Sequence, residues 1–122
     1  MTRRIIVEIT LYHNPRCSKS RQTLEILNEQ NIEFNIVEYL SNPPSHQQLD
    51  SILRGLDMQP RELMRKGEAE YKSLGLNDVT LSRDQLINAM ITHPKLIERP
   101  ILIAGDEITI GRPPENVLSI LP

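Results

Sequence analysis

The hydrophobic period of the chain changes twice before residue 40, and this change constrains the fold more than any other feature. Residues 5–12 are mostly β-branched or bulky, which predicts a buried first strand. Apolar residues then recur at helical spacing from Ser18 to about Gln30, and "IEFNIVEYL" (32–40) predicts a second strand. A strand, a helix and a strand in this order predict a right-handed βαβ unit with parallel strands.

Helical patterns fill the middle of the chain, after the prolines of "SNPPS" end the second strand. Ser45 and Gln48 predict a capping box at the start of a helix. Pro60 predicts a short helical turn over 61–65, and Ser82 begins a third helix that stops at the proline of "THPK".

Two strands and a helix are predicted at the end of the chain. "PILIAGDEITIG" predicts a hairpin around Gly105 and Asp106, because a glycine in the first position suits a two-residue turn. Pro113 predicts the first turn of a closing helix, whose inward side chains are expected to be Val117, Leu118 and Leu121.

The order of these elements predicts an α/β fold of the thioredoxin-like class. We expect a mixed four-stranded sheet, with a helical insertion at about 43–95 between its β-α-β and β-β-α halves. The length and the absence of linkers or repeats predict one domain over 1–122.

The composition is that of an ordinary soluble globule, with 39% apolar and 25% charged residues. A formal net charge of -2 provides no long-range attraction for nucleic acid. Every apolar run is shorter than the ~20 residues of a membrane span. Glu8 interrupts the early apolar run, and no small-residue cleavage site of a signal peptide follows. We therefore expect a cytoplasmic monomer with no nucleic-acid or membrane partner.

Cys17 is the only cysteine of the chain, and it stands where the first strand passes into the first helix. Backbone N–H groups and the helix dipole at such a place stabilise a thiolate and attract an anion. A lone cysteine is more often a small buried hydrophobic residue. The flanking "PRCSK" favours a reactive thiol here, because a core cysteine would fall within an apolar run. Any disulfide must take its second sulfur from another molecule.

Nearby residues offer support to this thiol. His13 either helps to ionise Cys17 or is a structural histidine with its hydrogen bonds satisfied, and both interpretations stay open. We expect the Ser20 hydroxyl to hydrogen-bond the sulfur, and Asn14 and Ser20 to shape the loop through side-chain to backbone bonds. One cysteine and three separated histidines predict no metal site.

Spacing excludes two other classes of cysteine enzyme. Phosphotyrosine-type phosphatases need an arginine six positions after the cysteine, where this chain has Thr23. Two-cysteine oxidoreductases need a second cysteine at the position of Ser20. A monothiol glutaredoxin remains open.

Five separated motifs resemble one family in their order along the chain. They are "YHNPRCSKSRQTLEIL", "LSNPP", "ELMRKGEAEYKSLGL", "LINAMITHPKLIERPI" and "IGRPPENVLSIL". From about residue 9 to residue 121 they resemble the glutaredoxin-dependent, ArsC-type arsenate reductases. The resemblance implies that Cys17 attacks arsenate and forms a thiol-arsenate adduct. It also implies that glutathione, as co-substrate, and the partner glutaredoxin complete the reduction to arsenite, with no bound cofactor.

The resemblance further implies three arginines that hold the oxyanion, which are Arg65, Arg99 and Arg112. A guanidinium presents a planar fork that suits a tetrahedral oxyanion. Thioredoxin-like folds place a cis-proline opposite the active cysteine, so we expect Pro100 to be cis and Arg99 to lie at the rim of the site.

Two other functions are weighed against arsenate reduction. Spx-type regulators share the fold and contact RNA polymerase, but commonly use a C-x-x-C switch that "CSKS" lacks. A glutathione-linked thiol transferase would act on protein disulfides, and the three arginines would be superfluous to it.

Overall fold

Four strands and five α-helices form in residues 7–122, the part of the chain that the structure, a computed structural model, describes. In chain order they are β1 (Ile9–His13), α1 (Ser18–Glu29), β2 (Asn35–Glu38), α2 (His46–Leu56), α3 (Pro60–Leu63), α4 (Ala69–Ser73), α5 (Arg83–Thr92), β3 (Ile101–Ala104) and β4 (Glu107–Ile110). Two 3₁₀-helices cover Pro94–Leu96 and Pro114–Ile120. The predicted first strand at 5–12 extends to positions 5 and 6, which lie outside the described residues.

The strands form one mixed four-stranded sheet, as predicted. Their order in the sheet is β2-β1-β3-β4. β3 is antiparallel to both β1 and β4. Ile101 pairs with Tyr12 of β1 and with Ile110 of β4. The carboxyl-terminal ends of β1 and β4 therefore lie at the same end of the sheet, beside the start of β3. The predicted hairpin is confirmed, because only Gly105 and Asp106 separate the paired residues Ala104 and Glu107. Gly105 has a φ of +61°, which glycine adopts without steric cost.

Residue contacts divide the chain into two compact units. One contains the residues up to Val37 together with Arg99–Pro122, and the other is Glu38–Glu98. The predicted insertion at about 43–95 lies within the second unit. A single domain over 1–122 stays a prediction.

A small apolar core holds the first unit together. Leu11, Leu27, Leu102 and Val117 are fully buried in it. Burying one such side chain typically contributes about 1.5–3 kcal/mol. The prediction that Leu118 points inward is wrong, because that side chain is 44% exposed. The closing segment is a 3₁₀-helix with three residues per turn, so its inward face instead repeats every third residue, at Pro114, Val117 and Ile120.

Two capping boxes begin the main helices of the second unit, as predicted. The Ser45 hydroxyl accepts the N–H of Gln48 at 3.1 Å, and the Ser82 hydroxyl accepts that of Gln85 at 3.2 Å. Both glutamine side chains return the bond to the capping backbone, which satisfies N–H groups that a helix start leaves without acceptors.

The short turn predicted at 61–65 ends earlier than expected. α3 stops at Leu63, and Met64 is extended and pairs with Ile97. The N–H of Arg65 donates to the carbonyl of Leu96 at 2.7 Å. This bridge competes with the helix for the backbone groups, so Arg65 leaves the helical path. The sequence analysis did not predict α4.

An ion-pair cluster joins α2 to α5. Arg54 Nε lies 2.9 Å from Asp50 Oδ2, and Arg83 Nη2 lies 2.9 Å from Asp50 Oδ1. The hydrogen bonds from Arg54 and then from Arg83 hold the pKa of Asp50 below its ordinary value of 3.8.

Asp50→Asn is expected to destabilise the protein near neutral pH and to matter less in acid. Since the pKa of Asp50 is lower in the folded state, its contribution is complete above the unfolded pKa of about 3.9 and is lost as the pH falls through the folded pKa. Urea unfolding of parent and variant across this range measures the effect. A difference in free energy of unfolding that stays constant down to about pH 2.5 would contradict the ion-pair explanation. Asp106→Asn, at the hairpin tip, is the control.

Gly111, which directly follows β4, lies close to Thr23 of α1 and to Pro100. A Cβ at this position would lie 2.7 Å from Thr23 Oγ1 and 2.8 Å from Pro100 Cγ. Neither atom is at the end of a long flexible side chain, so the backbone itself would have to move.

Gly111→Ala is therefore expected to lower the free energy of unfolding by about 1–3 kcal/mol, the usual cost of overpacking. Urea denaturation measures the loss. Gly67→Ala is the matched control, because nothing lies within 4 Å of its added Cβ. Equal stabilities of the two variants would contradict the steric argument.

Candidate active site

Cys17 is the N-cap residue of α1, as the sequence predicts for a strand-to-helix turn. Its backbone is extended (φ -95°, ψ 125°), and its carbonyl accepts the first bond of the helix, from the N–H of Arg21 at 3.0 Å. The N–H groups of residues 18–20 therefore come before the first N–H that donates within the helix, which is that of Arg21. The positive end of the helix dipole lies at Cys17, a residue that is 8% exposed and whose side chain accepts no capping bond from these donors. The N–H groups at a helix start suit a bound anion.

Hydrogen bonds fix the loop that leads into Cys17. The N–H of Cys17 donates to the carbonyl of Asn14, and the N–H of Arg16 donates to Asn14 Oδ1, both at 3.0 Å. The N–H of Asn14 in turn donates to Ser20 Oγ at 3.0 Å. The prediction that Asn14 and Ser20 shape this loop is confirmed. Ser20 is fully buried, so this anchor lies out of competition with water.

His13 shares a 2.6 Å hydrogen bond between its Nδ1 and Ser20 Oγ, and it is 6% exposed. This arrangement matches the second interpretation, a structural histidine at a strand end. Ser20 was expected to bond the sulfur, but its hydroxyl contacts His13 and the N–H of Asn14 instead. The buried face of α1 turns the hydroxyl toward β1. A direct effect of His13 on the thiol stays a prediction.

Arg112 brings a positive charge to Cys17, although 95 residues separate the two in sequence. Its Nη2 lies 3.7 Å from Cys17 Sγ, and its Nε donates to the carbonyl of Arg99 at 2.8 Å. The second bond orients the guanidinium and leaves its outer N–H groups on the side of the sulfur. An oxyanion bound there would meet a fork of donors next to a nucleophile.

Arg99 and Pro100 border the same site. The Arg99–Pro100 peptide bond is cis, as expected. The carbonyl of Pro100 accepts the N–H of Gly111 at 2.9 Å, which ties the start of β3 to the end of β4. The side chain of Arg99 is partly buried, and its carbonyl serves Arg112. The role of the Arg99 guanidinium as an oxyanion ligand stays a prediction.

Arg65 lies in the second unit, next to two glutamates of that unit. Its Nη1 contacts Glu68 at 2.8 Å, and its Nε lies 3.7 Å from a carboxylate oxygen of Glu98. It borders an open cavity of about 460 Å³ that is lined by residues 64–68 and Glu98. Two carboxylates thus offset its charge. The predicted role of Arg65 in oxyanion binding stays a prediction.

Other charged residues near Cys17 face solvent. Arg16 and Lys19 are exposed. Arg21 Nη1 donates to the carbonyl of Pro15 at 3.0 Å, so it supports the loop from outside. The sequence analysis missed Asn116, whose amide bonds the backbone of Arg112 at 2.9 Å. An amide side chain four positions after a candidate arginine was the available signal.

Burial raises the pKa of Tyr12 above its ordinary value of 10.0, so this neighbour of His13 stays a neutral phenol near pH 7.

Two kinds of feature are absent from the part of the chain that the structure describes. Residues 7–122 bring together no group of three His, Cys, Asp or Glu side chains that could hold a metal ion. Within the same residues, each helix is too short or too polar to span a membrane.

Comparison with known proteins gives consistent matches. A family model described as "ArsC family" matches residues 12–120. The Escherichia coli (strain K12) protein called "Uncharacterized protein YfgD" is 50% identical over 93% of this chain and 97% of its own length. A Haemophilus influenzae protein named "Arsenate reductase" is 46% identical over 94% of this chain and 100% of its own. The structure titled "Arsenate reductase from Vibrio cholerae" superposes with a TM-score of 0.90 at 46% identity, covering 94% and 98% of the two chains.

Ser20→Ala is expected to lower the free energy of unfolding by about 1–3 kcal/mol, because the buried N–H of Asn14 loses its acceptor. It should also change the rate at which Cys17 reacts with a neutral alkylating reagent, because the loop loses its anchor. Ser18→Ala is the matched control, since Ser18 is exposed one residue after Cys17. Identical stability and thiol reactivity in the two variants would show that the anchor is unimportant.

Proposed function

The chain belongs to the ArsC family, and on that premise we propose that it is an oxidoreductase that reduces arsenate to arsenite through Cys17. One observation carries the proposal. The Arg112 guanidinium lies 3.7 Å from the sulfur of Cys17, which is the N-cap residue of α1. This arrangement suits a thiolate that must approach an anion, because the charges on both are offset by fixed donors. The name of the Haemophilus influenzae relative supports arsenate as the anion.

In the first proposed step, the Cys17 thiolate attacks arsenic. A sulfur–arsenic bond forms, and one arsenate oxygen leaves as water after it takes up protons. Arg112 and the N–H groups at the start of α1 offset the charge on the remaining oxygens. We propose the side chains of Arg99 and Arg65 as the further oxyanion ligands.

In the second proposed step, the electrons come from outside the chain. Glutathione displaces a second oxygen at arsenic, and its sulfur becomes bonded to arsenic. Glutaredoxin then attacks the glutathione sulfur, and the electron pair of the broken sulfur–arsenic bond reduces arsenic from the +5 to the +3 state. Water then displaces the Cys17 sulfur from arsenic, which releases arsenite and the free thiol. The oxidised product is a disulfide between glutathione and glutaredoxin. One cysteine in the chain makes such an external thiol necessary.

The two alternative functions, an Spx-type regulator and a thiol transferase, explain fewer features of the site. A C-x-x-C switch would need a cysteine at position 20, which is a fully buried serine bonded to His13 and Asn14. A thiol transferase for protein disulfides would use a thiolate, but a set of three arginines for an oxyanion would be superfluous to it.

The test is arsenate-dependent oxidation of NADPH, coupled through glutathione reductase, glutathione and glutaredoxin, with arsenite measured as product. Cys17→Ser should abolish turnover. Arg112→Ala should lower kcat/KM about 10- to 100-fold, because one charge-assisted contact typically contributes ~1.5–3 kcal/mol. Arg16→Ala is the matched control, an exposed arginine next to Cys17.

Turnover that survives in Cys17→Ser would contradict the thiolate mechanism. Turnover by the parent chain with thiols but without glutaredoxin would refute only the proposed second step. Equal losses in Arg112→Ala and Arg16→Ala would point to general surface charge rather than to a placed guanidinium.

A further inference from the structure

The guanidinium of Arg112 needs support, because Arg112 is an exposed residue on a loop. A long, exposed side chain has many rotamers, and holding it in one place costs free energy. The bond from its Nε to the carbonyl of Arg99 restrains the tip of the side chain. Its own backbone follows the end of β4, where the sheet no longer supplies ladder bonds.

Asn116 supplies those missing bonds. Its Nδ2 donates to the carbonyl of Arg112 at 2.9 Å and lies 3.4 Å from the carbonyl of Ile110. The N–H of Arg112 also donates to the carbonyl of Ile110 at 2.9 Å. One amide group thus joins the carbonyls on both sides of Gly111, across the turn that presents Arg112.

Asn116 is itself held by the core of the first unit. It lies in the 3₁₀-helix Pro114–Ile120, next to the fully buried Val117. The N–H of Asn116 donates to the carbonyl of Pro113 at 3.0 Å, and the Ser119 hydroxyl donates to the carbonyl of Asn116 at 2.7 Å. The backbone of Asn116 is therefore held in place, and its exposed side-chain amide reaches Arg112 from that fixed backbone.

We propose that Asn116 is a positioning residue that holds the Arg112 guanidinium against Cys17 by clamping the Arg112 backbone. The interpretation deepens the proposed function and rests on it, since it assigns Arg112 to the oxyanion. The clamp acts through Arg112, and Asn116 itself touches neither the sulfur nor the substrate.

The test compares alkylation of Cys17 by iodoacetate, an anion, and by iodoacetamide, its neutral analogue, at low ionic strength. The ratio of the two rate constants reports the charge beside the sulfur and cancels changes in thiol access or ionisation. Arg112→Ala should lower this ratio about fivefold, the effect of one charge roughly 4–5 Å away in water. Asn116→Leu, which has similar volume but no donor, should lower it at least about twofold. Asn116→Ala should do the same.

Two controls make the result specific. Leu118→Ala changes an exposed side chain of the same 3₁₀-helix and leaves every bond of the clamp in place, so its ratio should match that of the parent protein. In the Arg112→Ala background, Asn116→Leu should cause no further fall, because the clamp has no guanidinium left to place.

An unchanged ratio in Asn116→Leu would overturn the proposal, and so would an equal fall in Leu118→Ala or a further fall in the double variant. Alkylation involves no arsenate, so these outcomes are independent of whether the protein reduces arsenate. Failure of the coupled assay with a positive alkylation result would remove the proposed substrate and leave the clamp in place.

Discussion

The hydrogen bond from the N–H of Asn14 to Ser20 Oγ is the constraint on which the site depends. It ties the loop after β1 to the buried face of α1, where Thr23 and Leu27 pack into the core. Asn14 then holds Cys17 through its own carbonyl. The sulfur therefore takes its place from core packing, and the N–H groups of the helix start need no movement to face an anion. Preorganised donors of this kind act without a reorganisation cost.

The second constraint is the register of the sheet. Tyr12, Ile101 and Ile110 lie side by side on β1, β3 and β4. Pro100 precedes β3 and Arg112 follows β4. Both residues therefore lie at the end of the sheet where α1 begins. Gly111 permits this convergence, because a side chain at that position would collide with Thr23 and Pro100. Strand pairing therefore helps to bring the Cys17 sulfur close to a guanidinium that lies 95 residues away in sequence.

Local chemistry made some parts of the fold predictable. The capping boxes at Ser45 and Ser82 and the hairpin at Gly105 depend on residues within a few positions of each other, and all three formed as predicted. Predictions that depended on distant partners fared worse. The turn carrying Arg65 ended early because Met64 pairs with Ile97, which no local pattern indicates. Leu118 faced outward because the closing segment adopted the tighter 3₁₀ period.

The sequence by itself determined that a single thiol stands at a helix start and that any partner sulfur must come from another molecule. Both conclusions follow from residue identity and local spacing. Only the tertiary structure decided that the Ser20 hydroxyl bonds Asn14 and His13 rather than the sulfur. It also decided that Arg112 lies next to Cys17, with its guanidinium oriented by a hydrogen bond to the carbonyl of Arg99. A polar side chain takes whichever partner the fold brings within about 3 Å. Packing and strand register set that choice, and neither can be read from positions along the chain.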